Sequence, residues 1–232
     1  MKKICLQAGH MNAQFGEDWM KPMTGAPEEQ PKNKAITFRT AEMLRERGFE
    51  VKVTDANGYQ DPTVTEVDWD MFLAIHCDAD SASNGGFTDF CDPAFDNVTA
   101  ESQRIADEIA EKFFPESGIA YRPERRGQIN VRRYYFWDDL SFATPCVLIE
   151  MGESIDAHDL VILNDTERCA MALSRGICHA FGVPYDIIPE PPQPPEPPTP
   201  PVVTPDLCLE VSSQMSKVLD KLKRIGAILA EE

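Results

Sequence analysis

The sequence is poor in positive charge. Its 22 lysines and arginines stand against 39 aspartates and glutamates, which gives a net charge of -17 at pH 7. Nucleic-acid binding draws much of its free energy from the counterions that lysine and arginine displace, and anionic surfaces repel an acidic protein. We therefore expect no nucleic-acid partner and no non-specific adhesion to an anionic membrane or cell wall.

Long apolar runs and paired cysteine motifs are also missing. No run approaches the roughly 18 residues that a membrane span needs, and the stretch 1-MKKICLQAGH-10 does not have the pattern of a signal peptide. The seven cysteines are odd in number and include no Cys-X-X-Cys pair, so they indicate small buried hydrophobic residues rather than a disulfide framework. These features predict a protein made in a cytoplasm without membrane insertion.

Proline is concentrated in one place. Ten of the seventeen residues in 189-PEPPQPPEPPTPPVVTP-205 are proline, and such a segment adopts an extended polyproline II conformation instead of packing into a core. With 42% hydrophobic residues in 232, the rest of the chain suffices for one cored domain and an appendage. We predict a cored domain over residues 1–187, a linker over 188–205 and a further element over 206–232.

The segment after the linker has a heptad pattern. Its apolar residues are spaced alternately three and four apart, as in a coiled-coil seam, and they are Cys208, Val211, Met215, Val218, Leu222, Ile225 and Leu229. Leucine at a positions with β-branched residues at d positions favours more than two strands. We predict an oligomerisation helix over 206–232, with a tetramer favoured; the alternative is an amphipathic helix docked on the domain of residues 1–187.

Residues 1–187 alternate between strand and helix patterns. Such alternation predicts an α/β domain with a mostly parallel, twisted sheet and helices on both faces. The predicted strands cover residues 3–9, 49–55, 69–76 and 144–152, and the predicted helices cover 32–47, 98–114 and 165–182.

The apolar runs of three predicted strands are each followed by a polar residue, namely His10, His76 and Glu150. Ligands of open α/β sheets bind at the carboxyl ends of the strands, so these side chains can converge. Two imidazoles at such a place suggest zinc, which in catalytic sites takes three protein ligands. Glu28 and Glu29, just ahead of the first helix, each offer the missing carboxylate.

Four stretches together resemble the zinc-dependent N-acetylmuramoyl-L-alanine amidases. They are 4-ICLQAGH-10, the glutamate ahead of the first helix, 72-FLAIHCDA-79 and 145-PCVLIEMG-152, in the order that the family has, and the resemblance covers roughly residues 1–184. It implies a zinc cofactor held by His10, Glu29 and His76, with Glu150 as the catalytic carboxylate. Glu29 is preferred to Glu28 because an asparagine follows four residues later in the family. Asp78 stands where the family often has asparagine.

The resemblance also implies a substrate, bacterial peptidoglycan. The bond cleaved would be the amide between N-acetylmuramic acid and the L-alanine of the stem peptide. An acidic chain without a signal peptide, with a linker and an oligomerisation helix, fits a phage endolysin that stays in the host cytoplasm until it is released onto the cell wall. The alternatives are another zinc amidohydrolase and a non-catalytic wall-binding module.

A second stretch, 121-YRPERRGQINVRRYYFW-137, combines five arginines with five aromatic residues. Arginine forks bind carboxylates, so part of it is a candidate substrate groove; the alternative is an ordinary surface paired with local acids. His158, Cys77 and His179 lack a matching context. We interpret His158 as a solvated loop residue and His179 as structural, and we expect Cys77 to point away from the face that carries His76.

Overall fold

The computed structural model describes residues 1–13, 20–22, 28–79, 84–91, 99–127, 134–186, 214–219 and 221–223. The chain divides into two compact units, Met1–Pro189 and Glu190–Glu232. The predicted linker and most of the predicted oligomerisation helix lie outside the described residues. Residues 214–219 and 221–223 are helical, and the seam residues Met215, Val218 and Leu222 are exposed there.

The first unit is built around a five-stranded, mostly parallel sheet. Its strands are β1 (Lys3–Ala8), β4 (Glu50–Thr54), β5 (Met71–Asp78), β6 (Phe87–Phe90) and β7 (Cys146–Glu153), in the spatial order β4-β1-β5-β7-β6. Strand β6 runs antiparallel to β7 and the other pairings are parallel. A separate hairpin pairs β2 (Met11–Ala13) with β3 (Met20–Pro22). The four predicted strands are thereby confirmed, while β6 and the hairpin were not predicted.

The order of the strands places a crevice at the centre of the sheet. Strand β1 lies between β4 and β5, its two successors in the main sheet, so the chain moves outward from β1 in both directions. The carboxyl ends of the strands on either side of such a switch point form the usual ligand site of an open α/β sheet. Here the switch point lies between β1 and β5.

Three long helices cover one face of the sheet. They are α1 (Gln30–Arg45), α3 (Thr99–Ser117) and α5 (Thr166–Ala180), and each corresponds to a predicted helix. Their apolar sides pack with the strands in the larger core, where Ile36, Ile109 and Leu173 are fully buried. Gly48, which has a φ of 83°, follows the end of α1 in the left-handed conformation expected of a helix terminator. No helix in the described ranges is long and apolar enough to cross a bilayer.

The other face has a different cover. Only the one-turn helix α2 (Pro62–Thr65) and short 3-10 turns pack there, together with aromatic side chains such as Phe72, Phe136 and Trp137. The prediction of helices on both faces is therefore confirmed for the first face only. In the described residues, the second face carries only α2 and the 3-10 turns.

The cysteines behave as small hydrophobic residues. Six of the seven lie in the described part, and all six are buried. Burial raises the pKa of the Cys169 thiol to about 12 and that of Cys178 to about 11. These two thiols are thus held protonated, and the burial of the six agrees with the prediction of small buried hydrophobic residues.

Candidate functional site

His10 and Glu29 lie at the two ends of the segment that connects β1 to α1. His10 follows β1 in a turn, and at φ 55° it is the one residue other than glycine with a positive φ in the described part of the chain. Glu29 stands immediately before α1, yet its carboxylate makes no capping bond to that helix. A strained backbone and a carboxylate not used for capping both point to a functional constraint.

His76 and Glu150 face the site from adjacent strands. They are direct partners in the register of β5 with β7, and paired residues project to the same side of a sheet. Both strands continue past these residues, β5 to Asp78 and β7 to Glu153. The strand of His76 was predicted to end at that residue, whereas the strand of Glu150 was predicted to continue to Gly152. A register irregularity between His76 and Asp78 is the kind of local bend that re-aims side chains near active sites.

Three of the four predicted site residues come together closely enough to share one ion. Glu29 Oε2 lies 3.5 Å from His10 Nε2 and 4.0 Å from His76 Nδ1, and one ligand atom from each residue lies within 4.8 Å of the others. Tetrahedral zinc with bonds of 2.0–2.2 Å holds its ligand atoms about 3.3 Å apart. Two nitrogens and one carboxylate oxygen at these separations fit zinc after small adjustments.

The structure distinguishes between the two candidate glutamates. Glu29 is buried at 6% exposure, whereas Glu28 is exposed. Asn33 lies one turn into α1 and donates from Nδ2 to the carbonyl oxygen of Gly9, at 3.2 Å. This bond ties the start of the helix to the turn that carries His10.

The burial of the site sets its protonation. Desolvation, with His10 nearby, lowers the pKa of His76 to about 3, and desolvation also lowers the pKa of His10, so both imidazoles are neutral at pH 7. Desolvation and the neighbouring Asp78 raise the pKa of Glu29 to about 8. Neutral imidazoles are competent ligands, and crowded buried carboxylates are stabilised by a cation.

Glu150 is held in an acidic environment without a full set of partners. Its Oε2 is buried and has no hydrogen-bond partner among the described residues. Burial raises the pKa of Glu150 well above its usual range, and the charges of Asp78 and Glu29 add to the effect. Asp78 itself pairs with Arg125. A carboxyl group with a raised pKa beside a candidate metal site is suited to accept and return a proton.

Two contributors to the site make contacts that the sequence did not predict, although Gly9 lies within 4-ICLQAGH-10 and Tyr134 within 121-YRPERRGQINVRRYYFW-137. Gly9 lies under the His76 ring, and a Cβ built on Gly9 would come within 2.5 Å of that ring. Tyr134 places its hydroxyl 3.2 Å from His76 Nε2. Neither contact follows from sequence spacing, because each depends on how a side chain turns at the end of a strand.

The arginines that the structure describes are engaged within the protein. Arg122 bonds to Asn84, Arg125 pairs with Asp78, and Arg126 bonds to the Thr88 carbonyl oxygen and to Asp107. The paired alternative therefore describes these three side chains better than a substrate groove does. Arg132 and Arg133 lie outside the described residues.

The remaining candidates take the following positions. Cys77 is fully buried in the core on the long-helix face, opposite to the face of His76, as predicted. His158 is exposed as predicted, but it lies in the short helix α4 (Ala157–Leu163) rather than in a loop. His179 is half-exposed at the end of α5, with Nε2 3.9 Å from a carboxylate oxygen of Glu111.

Comparison with known proteins gives consistent matches. A family model described as N-acetylmuramoyl-L-alanine amidase matches residues 4–179. A sequence search of curated proteins finds no match. Among solved structures, the catalytic domain of an N-acetylmuramoyl-L-alanine amidase from Bacillus (Paenibacillus) polymyxa var. colistinus is 21% identical, with a TM-score of 0.59 over 79% of this chain and 100% of that one.

Two further solved structures show the same fold. The N-acetylmuramyl-L-alanine amidase of Mycobacterium smegmatis is 16% identical, with a TM-score of 0.60 over 78% of this chain and 97% of that one. The catalytic domain of the CD27L endolysin targeting Clostridia difficile is 18% identical, with a TM-score of 0.57 over 76% and 97%. At these identities the likeness concerns the fold.

Proposed function

The chain belongs to the N-acetylmuramoyl-L-alanine amidase family, and from this premise we propose that it cleaves the muramoyl–L-alanine amide of peptidoglycan as a zinc enzyme. The observation that carries the zinc proposal is the convergence of His10, Glu29 and His76, whose ligand atoms lie within 4.8 Å of one another. They form a two-nitrogen, one-carboxylate set of the kind that catalytic zinc uses.

The residues present divide the work of hydrolysis. A zinc ion held by His10, Glu29 and His76 would supply Lewis-acid polarisation of the amide carbonyl and a water of lowered pKa. Glu150 stands on the neighbouring strand, directly beside His76. Its carboxylate accepts the proton of the attacking water and passes it to the leaving amine of L-alanine, which is general acid–base catalysis by one group.

The second face of the sheet, opposite the long helices, is the side from which a polymer would approach. His76 and Glu150 project to the face that carries the aromatic cover, and no long helix in the described ranges lies across that face. A glycan strand with its stem peptide is bulky, so an enzyme that cuts the link between them needs a broad approach. The long helices instead stabilise the sheet from behind.

The proposal is tested on purified cell wall. Removal of metal with a chelator abolishes hydrolysis, and added zinc restores it; the products carry new free N-terminal L-alanine. A different zinc amidohydrolase would release another end group, and a wall-binding module would bind without hydrolysis. Hydrolysis that persists in the metal-free protein contradicts the zinc proposal.

For the biological role, we propose a phage endolysin that accumulates in the host cytoplasm. Its support is the combination of an amidase domain with a proline-rich segment and a heptad-patterned tail, and one structural neighbour is the catalytic domain of an endolysin. In a host that carries this protein and an inducible membrane pore, lysis follows the opening of the pore. Lysis without the pore, or none with it, contradicts this role.

We propose further that residues 206–232 assemble several copies, with a tetramer favoured. The support is the heptad spacing and the exposure of Met215, Val218 and Leu222 along the described helical residues. Several catalytic domains tethered together would engage a polymeric wall with a raised effective concentration. That gain would offset the weak adhesion expected from the negative charge.

A further inference from the structure

The Tyr134 hydroxyl connects a candidate metal ligand to the first strand. It lies 3.2 Å from His76 Nε2 and donates to Gln7 Oε1 at 2.8 Å. The Tyr134 and His76 rings meet edge to face, with their centroids 5.7 Å apart. All three groups lie on the face of the sheet opposite the long helices, and both Gln7 and His76 are buried.

The donors and acceptors in this chain of hydrogen bonds are arranged in one direction. A phenol has one proton to donate, and that of Tyr134 goes to Gln7 Oε1. The Tyr134 oxygen can then only accept from His76, so the proton of the neutral imidazole must reside on Nε2. The lone pair of His76 is left on Nδ1, the nitrogen that lies 4.0 Å from Glu29 Oε2 and faces the candidate metal centre.

The ring of His76 is also restrained from below. A Cβ built on Gly9 would lie within 2.5–2.6 Å of three atoms of the imidazole, so the ring rests directly on the Gly9 backbone. The Gly9 N–H in turn donates to the carbonyl oxygen of Ile75 at 2.9 Å. The ring is therefore confined by backbone on one side, and its tautomer depends on the partner of Nε2.

We infer that Tyr134, supported by Gln7, is a positioning residue that fixes the tautomer of His76 and presents Nδ1 to the metal. Metal-bound histidines generally use their second nitrogen in this way, and loss of that partner typically weakens metal binding 10- to 100-fold. The inference rests on the proposed zinc site for the role of Nδ1. The tautomer itself is a property of the metal-free protein.

The first measurement is the nitrogen-15 spectrum of the His76 imidazole in metal-free protein. The wild type is expected to carry its proton on Nε2. In Tyr134→Phe the imidazole loses its acceptor, and the spectrum shifts toward a mixture of tautomers. A proton on Nδ1 in the wild type, or an unchanged spectrum in Tyr134→Phe, overturns the inference whether or not the protein binds zinc.

The second measurement is zinc affinity by competition with a chromophoric chelator. Tyr134→Phe is expected to raise the zinc dissociation constant about 10- to 100-fold. The matched control is Tyr59→Phe, which removes a hydroxyl that accepts from exposed Gln60 in the same aromatic cluster. This control keeps the wild-type affinity. Equal affinity in wild type and Tyr134→Phe contradicts the inference, whereas a wild type that binds no zinc contradicts the proposed function.

A second variant separates positioning from packing. Gln7→Met keeps the tyrosine but removes the acceptor of its proton, so the hydroxyl becomes free to donate to His76 Nε2. The tautomer then shifts toward a proton on Nδ1, and zinc affinity falls although Tyr134 is intact. If Tyr134 serves only to fill space, Gln7→Met leaves the tautomer unchanged, and that result overturns the inference even where Tyr134→Phe folds poorly.

Discussion

At the scale of single residues, the site brings several carboxyl groups close together in a buried environment. Burial alone raises the pKa of both Glu29 and Glu150, and each of the two carboxyls also experiences the charge of Asp78. Such crowding destabilises the metal-free protein and is relieved when a cation enters. Glu150 differs from Glu29 in one respect: it is not part of the group of ligand atoms that can share an ion.

This difference predicts the outcome of Glu150→Gln. Removal of the proton acceptor is expected to lower kcat at least about 100-fold, the usual contribution of general acid–base catalysis, while zinc remains bound in a 1:1 ratio. Both are measured on the same sample, by wall hydrolysis and by metal analysis. Glu66→Gln, an exposed position, is the control. Loss of zinc together with activity would instead make Glu150 a ligand.

The conformation of His10 allows a second test. An L residue with a side chain is strained at φ 55°, and glycine is not. Metal-free His10→Gly should therefore be more stable than metal-free His10→Ala by about 1 kcal/mol, measured by urea unfolding, and both should lose zinc. If His10→Ala equals or exceeds His10→Gly in stability, the turn is not strained in the way described.

The residues of the site differ in how far the sequence reveals them. His10, His76 and Glu150 follow from apolar runs that break into polar residues, because strand periodicity is visible in sequence. Glu29 needed the family resemblance, since spacing alone left it equal to Glu28. Gly9 and Tyr134 required coordinates, because their contacts join segments that no periodicity relates.

At the scale of secondary structure, Asp159 links elements around the site. It is fully buried in α4, and its Oδ2 accepts from the backbone N–H of Gly85 at 2.5 Å and of Glu153 at 3.1 Å. One carboxylate thereby joins the segment before β6 to the end of β7. Charged acceptors form the stronger hydrogen bonds.

Asp159→Ala leaves two buried N–H groups without their acceptor and should lower the free energy of unfolding by about 3 kcal/mol. Asp156→Ala is the comparison, because Asp156 caps the same helix through the N–H groups of His158 and Asp159; loss of a cap costs about 1 kcal/mol. Chemical denaturation of both variants gives the two values. Equal decreases in the free energy of unfolding would mean that the Asp159 carboxylate stabilises its own helix only, and not the segments of Gly85 and Glu153.

Elements with a regular pattern were predictable and short elements were not. Helices such as α3 and α5 repeat apolar residues four apart, which fixes their faces. The sequence does not reveal that strand β6 is buried, because two of its four residues, Thr88 and Asp89, are polar although they are buried. Thr88 donates to the carbonyl oxygen of Ala106, and Asp89 accepts from the backbone N–H of Gly127. These hydrogen bonds allow both polar side chains to be buried, although their polarity interrupts the apolar pattern of a strand.

At the scale of the whole molecule, the first unit has a well-anchored end. The Tyr185 ring lies under the guanidinium of Arg47 at 3.7 Å and close to that of Arg175 at 4.9 Å. Arg47 also donates to the Tyr185 carbonyl oxygen. The chain is thereby held against the turn that follows α1 and against α5, just before the proline-rich segment begins.

Truncation after Tyr185 should consequently leave an active, folded monomer. It retains the two arginine contacts and the complete site, and it removes the segment proposed to assemble copies. Solution mass and hydrolysis of a small soluble muropeptide are the measurements. An oligomer that persists would refute the assembly proposal, and a large loss of activity on the soluble substrate would show that the tail contributes to the site.

Chemical modification of the buried thiols can report on transient unfolding of the first unit. A protonated cysteine in a packed core reacts with an alkylating reagent only while the surrounding structure is transiently unfolded. Mass spectrometry after a brief pulse of reagent would count how many of the six described thiols have been modified, and would assign each to its strand or helix. The order in which they react would rank the segments of the sheet by local stability, without any introduced label.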